Sequence, residues 1–421
     1  DERYEQVVGI WQDTTGKMER IDAAVEALPL PALSSLTLCD GATTSPCDGT
    51  LCTSPVAFWQ IHGRVSIPNY QQGTLPYEYP ADGGAIAYNG SGAPIQQGVL
   101  EVCLALTVPK SAMPVAGWPL VVHAHGTGGN FRAAIDDGIA EKLATASVPM
   151  ATLTIDGVGS GARRGASTRD ADGLVFNVVN PRAARDNHLQ GAVDVIQALR
   201  VAQVLSGAVG GVNIELDASK SYFFGHSQGS NVGVPALATT GLAKAAILSG
   251  AGSYLTEGLL TKTSPVDAGH VLSLLVGEPI SNGHPLMTLW QTFFDRMDPV
   301  NFDPLMIVRP PAGVVAKHVH MTWGLGDTFS REPTLNITAR GMGLANAEPI
   351  LTPINGVPSV ARPVSGNVID DQGLARTAAC YQYQSDGTYD GHFVAQRNPA
   401  AIVDWLSFLT SAATAGTPAV P

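Results

Sequence analysis

Short apolar runs alternate with helix-like stretches through most of the chain. Alternating or continuous apolar runs predict strands, and apolar positions spaced three or four apart predict helices. The predicted strands are 58–67, 99–108, 118–125, 149–156, 220–224, 245–249, 319–324 and 378–383, and the predicted helices are 20–28, 133–147, 186–206 and 399–409. Such alternation is typical of a mostly parallel sheet with helices on both faces. The first two strands have no helix between them and predict an antiparallel start to that sheet.

The same pattern divides the chain into two unequal parts. Residues 1–55 are predicted to form an N-terminal extension with a Cys-rich loop, and residues 56–421 to form one α/β domain. Two insertions interrupt this domain. The segment 253–316 is apolar and aromatic and is interpreted as a helical cap or lid. The segment 331–375 is rich in Pro, Gly and Asn and is interpreted as a loop insertion.

Composition narrows the class of protein. The chain has 421 residues, of which 45% are apolar and only 14% charged, with 46 Gly and 29 Pro, which favours a large core and many turns. A net charge of −12 without a basic cluster argues against a nucleic-acid partner. No apolar run approaches the roughly 18–20 residues of a membrane-spanning helix. The chain starts at Asp1 without a basic or apolar leader, so we expect a secreted or periplasmic protein whose signal peptide has been removed.

The five cysteines indicate the redox environment in which the protein resides. Cys39, Cys47 and Cys52 lie in one turn-rich loop, whereas Cys103 and Cys380 lie in predicted strands. A loop without a core pattern needs covalent support, so we predict disulfides and an oxidising compartment. A zinc knuckle is the alternative, but spacings of eight and five residues without a C-x-x-C pair disfavour it.

The most informative motif is Gly225-His226-Ser227-Gln228-Gly229, directly after the predicted strand 220–224. This G-x-S-x-G pattern predicts a serine on a strained turn between a strand and a helix. Side chains at Gly225 or Gly229 would collide with the neighbouring elements. An ordinary Gly-rich turn is the alternative, so the motif gains weight only from partners elsewhere in the chain.

Three further motifs supply such partners: His125-Gly126-Thr127-Gly128-Gly129, Gly324-Leu325-Gly326-Asp327 and Asp390-Gly391-His392-Phe393. With these motifs the chain, from about Phe58 to its end, resembles α/β-hydrolases of the secreted esterase/lipase type. The resemblance implies the α/β-hydrolase fold, Ser227 as nucleophile, His392 as general base and Asp327 as its orienting acid. It also implies an oxyanion hole formed by the backbone N–H groups of Thr127 and Gln228. The order Ser, Asp, His along the chain is the one that this fold uses.

Other residues compete for the partner roles. The acid could instead be Asp295, Asp298 or Asp303, if it came from the connection before strand 319–324. His318 and His320 alternate along that strand, a spacing that can bind a metal, but no third ligand accompanies them. We therefore predict a packed or surface role for both histidines, and no metal.

The run from Gly157 to Ala162 fits G-x-G-x-x-A after a predicted strand, which is a dinucleotide fingerprint. That fingerprint requires a helix immediately afterwards, whereas the following residues are typical of a loop. We therefore predict no cofactor and interpret the glycines as allowing a tight turn beside the active site.

Under the resemblance, the strands of Cys103 and Cys380 lie toward opposite edges of the sheet. We therefore expect two bridges among Cys39, Cys47, Cys52 and Cys103, with Cys380 free. The predicted function is hydrolysis of small-molecule or polymeric carboxylic esters through an acyl-enzyme, on hydrophobic acyl esters, lipids or polyesters. A peptidase or amidase on the same fold and a non-catalytic binding protein are the alternatives, and the oligomeric state is left open.

Overall fold

The computed structural model describes residues 2–421, apart from the side chains of residues 2–8 and 10. Its helices are α1 (Glu2–Glu26), α2 (Ala133–Asp136), α3 (Ile139–Ala144), α4 (Ala171–Val175), α5 (Pro181–Arg200), α6 (Gln228–Thr239), α7 (Leu255–Thr261), α8 (Ala268–Val276), α9 (Pro285–Phe294), α10 (Pro299–Met306), α11 (Glu332–Met342), α12 (Val394–Arg397) and α13 (Pro399–Ala415). Its strands are β1 (Leu33–Leu38), β2 (Asp40–Thr44), β3 (Leu51–Thr53), β4 (Phe58–Asn69), β5 (Gln71–Gly73), β6 (Gly83–Ile86), β7 (Gly98–Pro109), β8 (Trp118–Ala124), β9 (Ala151–Ile155), β10 (Ser206–Val209), β11 (Val212–His226), β12 (Ala245–Ser249), β13 (His318–Leu325), β14 (Ala345–Ala347), β15 (Ser359–Val360), β16 (Val368–Ile369), β17 (Ala375–Arg376) and β18 (Ala378–Gln384).

Most of these strands form one twelve-stranded sheet. Its order is β1-β4-β7-β9-β8-β11-β12-β13-β18-β14-β15, with β10 paired to β11. Successive strands from β9 to β15 in this order pair in parallel. The pairs β1–β4, β4–β7, β7–β9 and β10–β11 are antiparallel. The predicted mostly parallel sheet with an antiparallel start is therefore confirmed.

Alternating side chains of the central strands pack on opposite faces of the sheet. Phe223 of β11 belongs to the same buried cluster as Leu189 of α5 and Leu237 of α6. Tyr222 and Phe224, its neighbours in the chain, belong to a second cluster that includes residues of α3 and α13. Because both faces of β11 are buried, its buried part is a continuous apolar run in the sequence. The strand could therefore be predicted from that run.

The N-terminal residues join the main sheet and its core. β1 pairs with β4, and Met18, Ile21 and Val25 of α1 are fully buried in the larger cluster. The predicted helix 20–28 is therefore only the last part of a 25-residue helix, which ends at Glu26 before the prolines. The guanidinium of Arg200 donates hydrogen bonds to the last carbonyls of this region, at Val25 (2.7 Å) and Leu28 (2.6 Å).

Two disulfides stabilise the region after α1. They join Cys39 to Cys52 and Cys47 to Cys103, and Cys380 is a free, buried thiol. The predicted set of bridged cysteines is confirmed. Among the described residues, one group of potential metal ligands comprises Cys39, Cys52 and His62, but the disulfide occupies both of its sulfur atoms.

The segment 253–316 contains four helices, α7 to α10. α8 has no buried residue, whereas α9 contributes Phe294 to the larger buried cluster. The fourth packs against α6 and α11, with Phe302 and Met306 fully buried. Thr263 and Ser264, after α7, donate backbone hydrogen bonds to the carbonyl of Thr328 (2.9 and 3.1 Å), at the carboxyl end of β13.

The segment 331–375, predicted as a loop insertion, begins instead with the helix α11. Leu335, Ala339 and Met342 are fully buried on one face of this helix, at spacings of four and three residues. The short strands β14 and β15 then extend the sheet beyond β18. Two- and three-residue strands have no detectable alternation, so the high Pro and Gly content dominated the prediction.

Candidate active site

Ser227 lies on the turn between β11 and α6, in a backbone conformation that is strained for a serine. Its φ is 54° and its ψ is −120°, and its N–H donates to the carbonyl of Ser249 at the end of β12 (2.8 Å). A Cβ on Gly229 would lie 1.9 Å from the carbonyl oxygen of Ala124, and a Cβ on Gly225 would lie 2.8 Å from the backbone of Ser230. The turn therefore requires glycine at both positions, as the motif predicts.

Asp327 and His392 meet at the ends of two adjacent parallel strands. Asp327 follows β13, and His392 lies in a short 3₁₀ turn after β18. The carboxylate Oδ2 of Asp327 is 2.8 Å from Nδ1 of His392, and the two side chains are only 2% and 3% exposed. The other oxygen, Oδ1, accepts the N–H groups of Phe329 (2.9 Å) and Ser330 (2.7 Å). These two bonds fix the carboxylate, which in turn orients the imidazole.

The two loops that carry this pair are in direct backbone contact. A Cβ on Gly391 would lie 2.4 Å from the carbonyl oxygen of Leu325, and a Cβ on Gly324 would lie 1.9 Å from that of Gly391. Asp390 joins the loops further, because its Oδ1 accepts the N–H of His392 (2.8 Å) and that of Thr328 (3.2 Å). Asp390 thus holds the backbone of His392 and makes no contact with its ring. Asp390 had no predicted role of its own, although an Asp directly before a helical turn is a recognisable capping signal.

Aromatic rings enclose His392. Phe329 stacks on the imidazole with ring centroids 4.7 Å apart, and His226 lies 4.8 Å away on another side. Burial and the nearby His392 hold the pKa of His226 well below its usual value, so this neighbour is neutral and adds no positive charge beside His392. No sequence pattern indicated the role of Phe329, since the stacking depends on two loops 63 positions apart in the chain.

His392 also lies close to the segment after β12. A Cβ on Gly250 would lie 2.6 Å from the Cε1 atom of the imidazole, and the preceding residue, Ser249, accepts the N–H of Ser227. Among the described residues, no hydrogen bond joins the Ser227 hydroxyl to His392. Such bonds are often long without substrate and tighten when it binds.

The loop after β8 approaches Ser227 from the other side. A Cβ on Gly126 would lie 3.2 Å from the Cβ of Ser227. The backbone N–H groups of Thr127 and Gln228 have no acceptor among the residues that the structure describes. These two unpaired N–H groups lie in the segments next to Ser227, and an oxyanion hole requires such donors.

His125 braces that loop. Its Nδ1 is 2.7 Å from the carbonyl oxygen of Gly126, and its Nε2 accepts the N–H of Gly157 (3.0 Å). The proton therefore lies on Nδ1, and burial lowers the pKa of the imidazole, which keeps it neutral. The run from Gly157 continues into a 3₁₀ turn, Gly161–Arg164, and not into a helix that starts at its glycines.

The competing acids lie away from His392. Asp298 caps α10 and accepts the N–H groups of Tyr254 and Leu255, and Asp303 is fully buried on α10. The carboxylate of Asp295 accepts a hydrogen bond from Gln291. Asp298 and Asp295 thus support the segment 253–316.

His318 and His320 are both packed, and their partners are structural. Nδ1 of His318 accepts the N–H of Thr377 (2.9 Å), and His320 stacks on Tyr381 with ring centroids 4.2 Å apart. Burial lowers the pKa of His318 to about 4 and that of His320 to about 3.

The chain is similar in structure to several esterases, at low identity. An acetyl xylan esterase from Paenibacillus sp. R4 aligns with a TM-score of 0.49 and 15% identity over 90% of this chain and 88% of that one. Acetyl xylan esterase 1 from Thermoanaerobacterium sp. JW/SL YS485 aligns with a TM-score of 0.47 and 11% identity over 89% and 90% of the two chains. A CE15 glucuronoyl esterase from Teredinibacter turnerae T7901 gives a TM-score of 0.45 and 18% identity over 92% and 78%. No protein-family model and no curated protein matches the sequence.

The fold follows from the chain's own topology. The nucleophile-type turn joins a central parallel strand, β11, to α6, and the loops after β13 and β18 bring an acid and a histidine together on the same edge of the sheet. This strand–turn–helix arrangement, with Ser, Asp and His in that order along the chain, is that of α/β-hydrolases. The protein therefore has the α/β-hydrolase fold expected from its motifs.

Proposed function

We propose that the protein is a serine hydrolase that cleaves carboxylic esters, with Ser227 as nucleophile, His392 as base and Asp327 as the orienting acid. The observation that carries this proposal is the buried 2.8 Å contact between Asp327 and His392, close to a serine held at a positive φ. Strain of this kind persists where the surrounding structure fixes it, and it is concentrated at functional sites.

The reaction has two steps. Ser227 attacks the ester carbonyl while Nε2 of His392 takes its proton, and the N–H groups of Thr127 and Gln228 stabilise the oxyanion. The imidazolium, held at Nδ1 by Asp327, returns the proton to the leaving alcohol. Water activated by His392 then releases the acid from the acyl-enzyme by the reverse path.

A hydrophobic acyl group is the substrate that the segment 253–316 favours, and we take this segment as the cap. Its helix α8 exposes Leu274 (69%) and Leu275 (78%), and the cap contacts the acid loop through Thr263 and Ser264. An acyl-chain-length series of p-nitrophenyl esters, run beside peptide and polyester substrates, tests this preference and separates an esterase from a peptidase.

Two disulfides support a secreted or periplasmic location, because such bonds persist in oxidising compartments. Among the described residues, no helix has the length and apolarity to cross a bilayer.

The replacement Ser227→Ala tests the proposed function. If the three side chains act as a unit, the variant loses on the order of 10⁶ in kcat for p-nitrophenyl acetate. Retention of near-normal hydrolysis by a folded Ser227→Ala variant would show that another residue is the nucleophile.

A further inference from the structure

A cleft lies beside the loop after β8, which carries Thr127, and it takes no part in the reaction steps above. This cleft, of about 530 Å³, has the size of a small-ligand site, and its wall includes Gly128 and Gly129, which directly follow Thr127. The disulfide-bonded loop contributes Cys47 and Asp48 to the lining. The N-terminal region thus helps to form a depression that adjoins the proposed catalytic centre.

The lining of this cleft contains an acceptor without a protein partner. Asp156, at the end of β9, is only 3% exposed, and its Oδ1 accepts the N–H of Phe131 (2.9 Å). Its Oδ2 accepts no hydrogen bond from any described residue. A Cβ on Gly161 would lie 1.8 Å from Oδ2, so the glycine leaves this oxygen room. A carboxylate oxygen without a protein partner can accept hydrogen bonds from a ligand or from water.

Two guanidinium groups also line the cleft. Nε of Arg132 is buried without a hydrogen-bond partner, although the end of the same guanidinium pairs with Asp136 (3.2 Å). Arg164 lies on the cleft wall and is partly exposed. The lining therefore combines a carboxylate acceptor at Asp156 with guanidinium donors at Arg132 and Arg164.

These charges decide between classes of ligand. Three carboxylates and two guanidinium groups line the cleft, so either a carboxylate or an ammonium ligand would meet groups of its own sign as well as of the opposite sign. An acyl chain would form no hydrogen bond with Oδ2 of Asp156 or with the guanidinium groups. A neutral hydroxyl both donates and accepts, and several hydroxyls on a rigid ring match the mixed set.

We infer that this cleft binds the polyhydroxylated part of the substrate, a sugar ring esterified to the acyl group. The inference rests on the proposed function. With the sugar ring in this cleft, the polar part of the ester lies against Asp156, Arg132 and Arg164. The acyl group then lies on the other side of Ser227. The glycines from Gly157 to Gly161, which fit a dinucleotide fingerprint in sequence, serve instead to expose the carboxylate of Asp156.

The test compares two kinds of primary acetate in wild type and in Asp156→Asn. The substrates are methyl 6-O-acetyl glycosides of glucose and galactose, and cyclohexylmethyl acetate, which has a ring of similar size without hydroxyls. The asparagine keeps the oxygen that accepts from Phe131 and replaces Oδ2 by a donor. We expect kcat/KM for the glycoside acetates to fall about 10- to 100-fold, with kcat/KM for cyclohexylmethyl acetate unchanged. Asp371→Asn, which removes the same charge at an exposed position outside the cleft, should change neither.

A second variant and a binding measurement guard against a folding defect. Arg132→Gln removes the buried donor and should lower kcat/KM for the same glycoside acetates alone. The unacetylated methyl glucoside should inhibit hydrolysis of cyclohexylmethyl acetate competitively in wild type, and less in Asp156→Asn.

Equal losses for both kinds of substrate, or no loss for either, would overturn the inference. The proposed esterase function would still stand in that case, provided that wild type hydrolyses cyclohexylmethyl acetate. Failure of the wild-type protein to hydrolyse any ester would contradict both the inference and the proposed esterase function.

Discussion

The contact between Asp327 and His392 makes a strong prediction about one isosteric replacement. In Asp327→Asn, the amide oxygen can keep the N–H groups of Phe329 and Ser330, which occupy Oδ1 at 2.9 and 2.7 Å. The amide nitrogen then replaces Oδ2, 2.8 Å from Nδ1 of His392. Because this nitrogen donates, it favours the imidazole tautomer with its proton on Nε2, which cannot accept the proton of Ser227.

The expected cost is large because the pair is buried. The wrong tautomer should lower kcat on the order of 10⁴, which corresponds to about 5 kcal/mol of transition-state stabilisation. The assay is kcat for p-nitrophenyl acetate at pH 8, with the urea midpoint and near-ultraviolet circular dichroism as checks of the fold.

Asp390→Asn is the matched control. This residue is two positions from His392 but holds only backbone N–H groups and the Thr328 hydroxyl, so the loss should stay below about tenfold. A loss below tenfold in Asp327→Asn, or equal losses in the two variants, would refute the proposed role of Asp327.

Three further predictions concern stability. Gly229→Ala should lower the free energy of unfolding by about 3 kcal/mol in urea titrations, because the added Cβ collides with backbone, whereas Gly241→Ala, with nothing within 4 Å, should change it little. Replacing Cys47 and Cys103 together by serine should cost about 4 kcal/mol for a bridge with a sequence separation of 56, and an unchanged midpoint would contradict this. Burial lowers the pKa of Lys317 from 10.5 to about 7, so the unfolded chain binds the proton more tightly between these values and stability should rise with pH from 7 to 10.5. Lys317→Met should remove a rise of up to about 1.4 kcal/mol per pH unit, and the same slope in both proteins would contradict the assignment.

The sequence was most informative where local pattern and structure coincide. The buried parallel strands are continuous apolar runs, and the glycines of the Ser227 turn are required by contacts with Ala124 and Ser230. The buried strands and the Ser227 turn can each be predicted from a pattern of a few consecutive residues. The meeting of Asp327 and His392 was predicted only because their strands are neighbours in the resembled fold.

The sequence was least informative where long-range packing decides. The strands β14 and β15 have three and two residues and form because β18 offers them a free edge. The cleft at Asp156 depends on a disulfide loop, the end of β9 and the turn at Gly161, and these segments are far apart in the chain. No local sequence pattern predicts such a site.

The most direct test of the central claim is covalent labelling of the serine. A fluorophosphonate probe followed by peptide mass spectrometry should place one adduct on Ser227 in wild type. Labelling should be much slower in His392→Ala, because the hydroxyl lacks its base. An adduct on another residue, or no adduct on a folded wild-type protein, would contradict the assignment of Ser227 as the nucleophile.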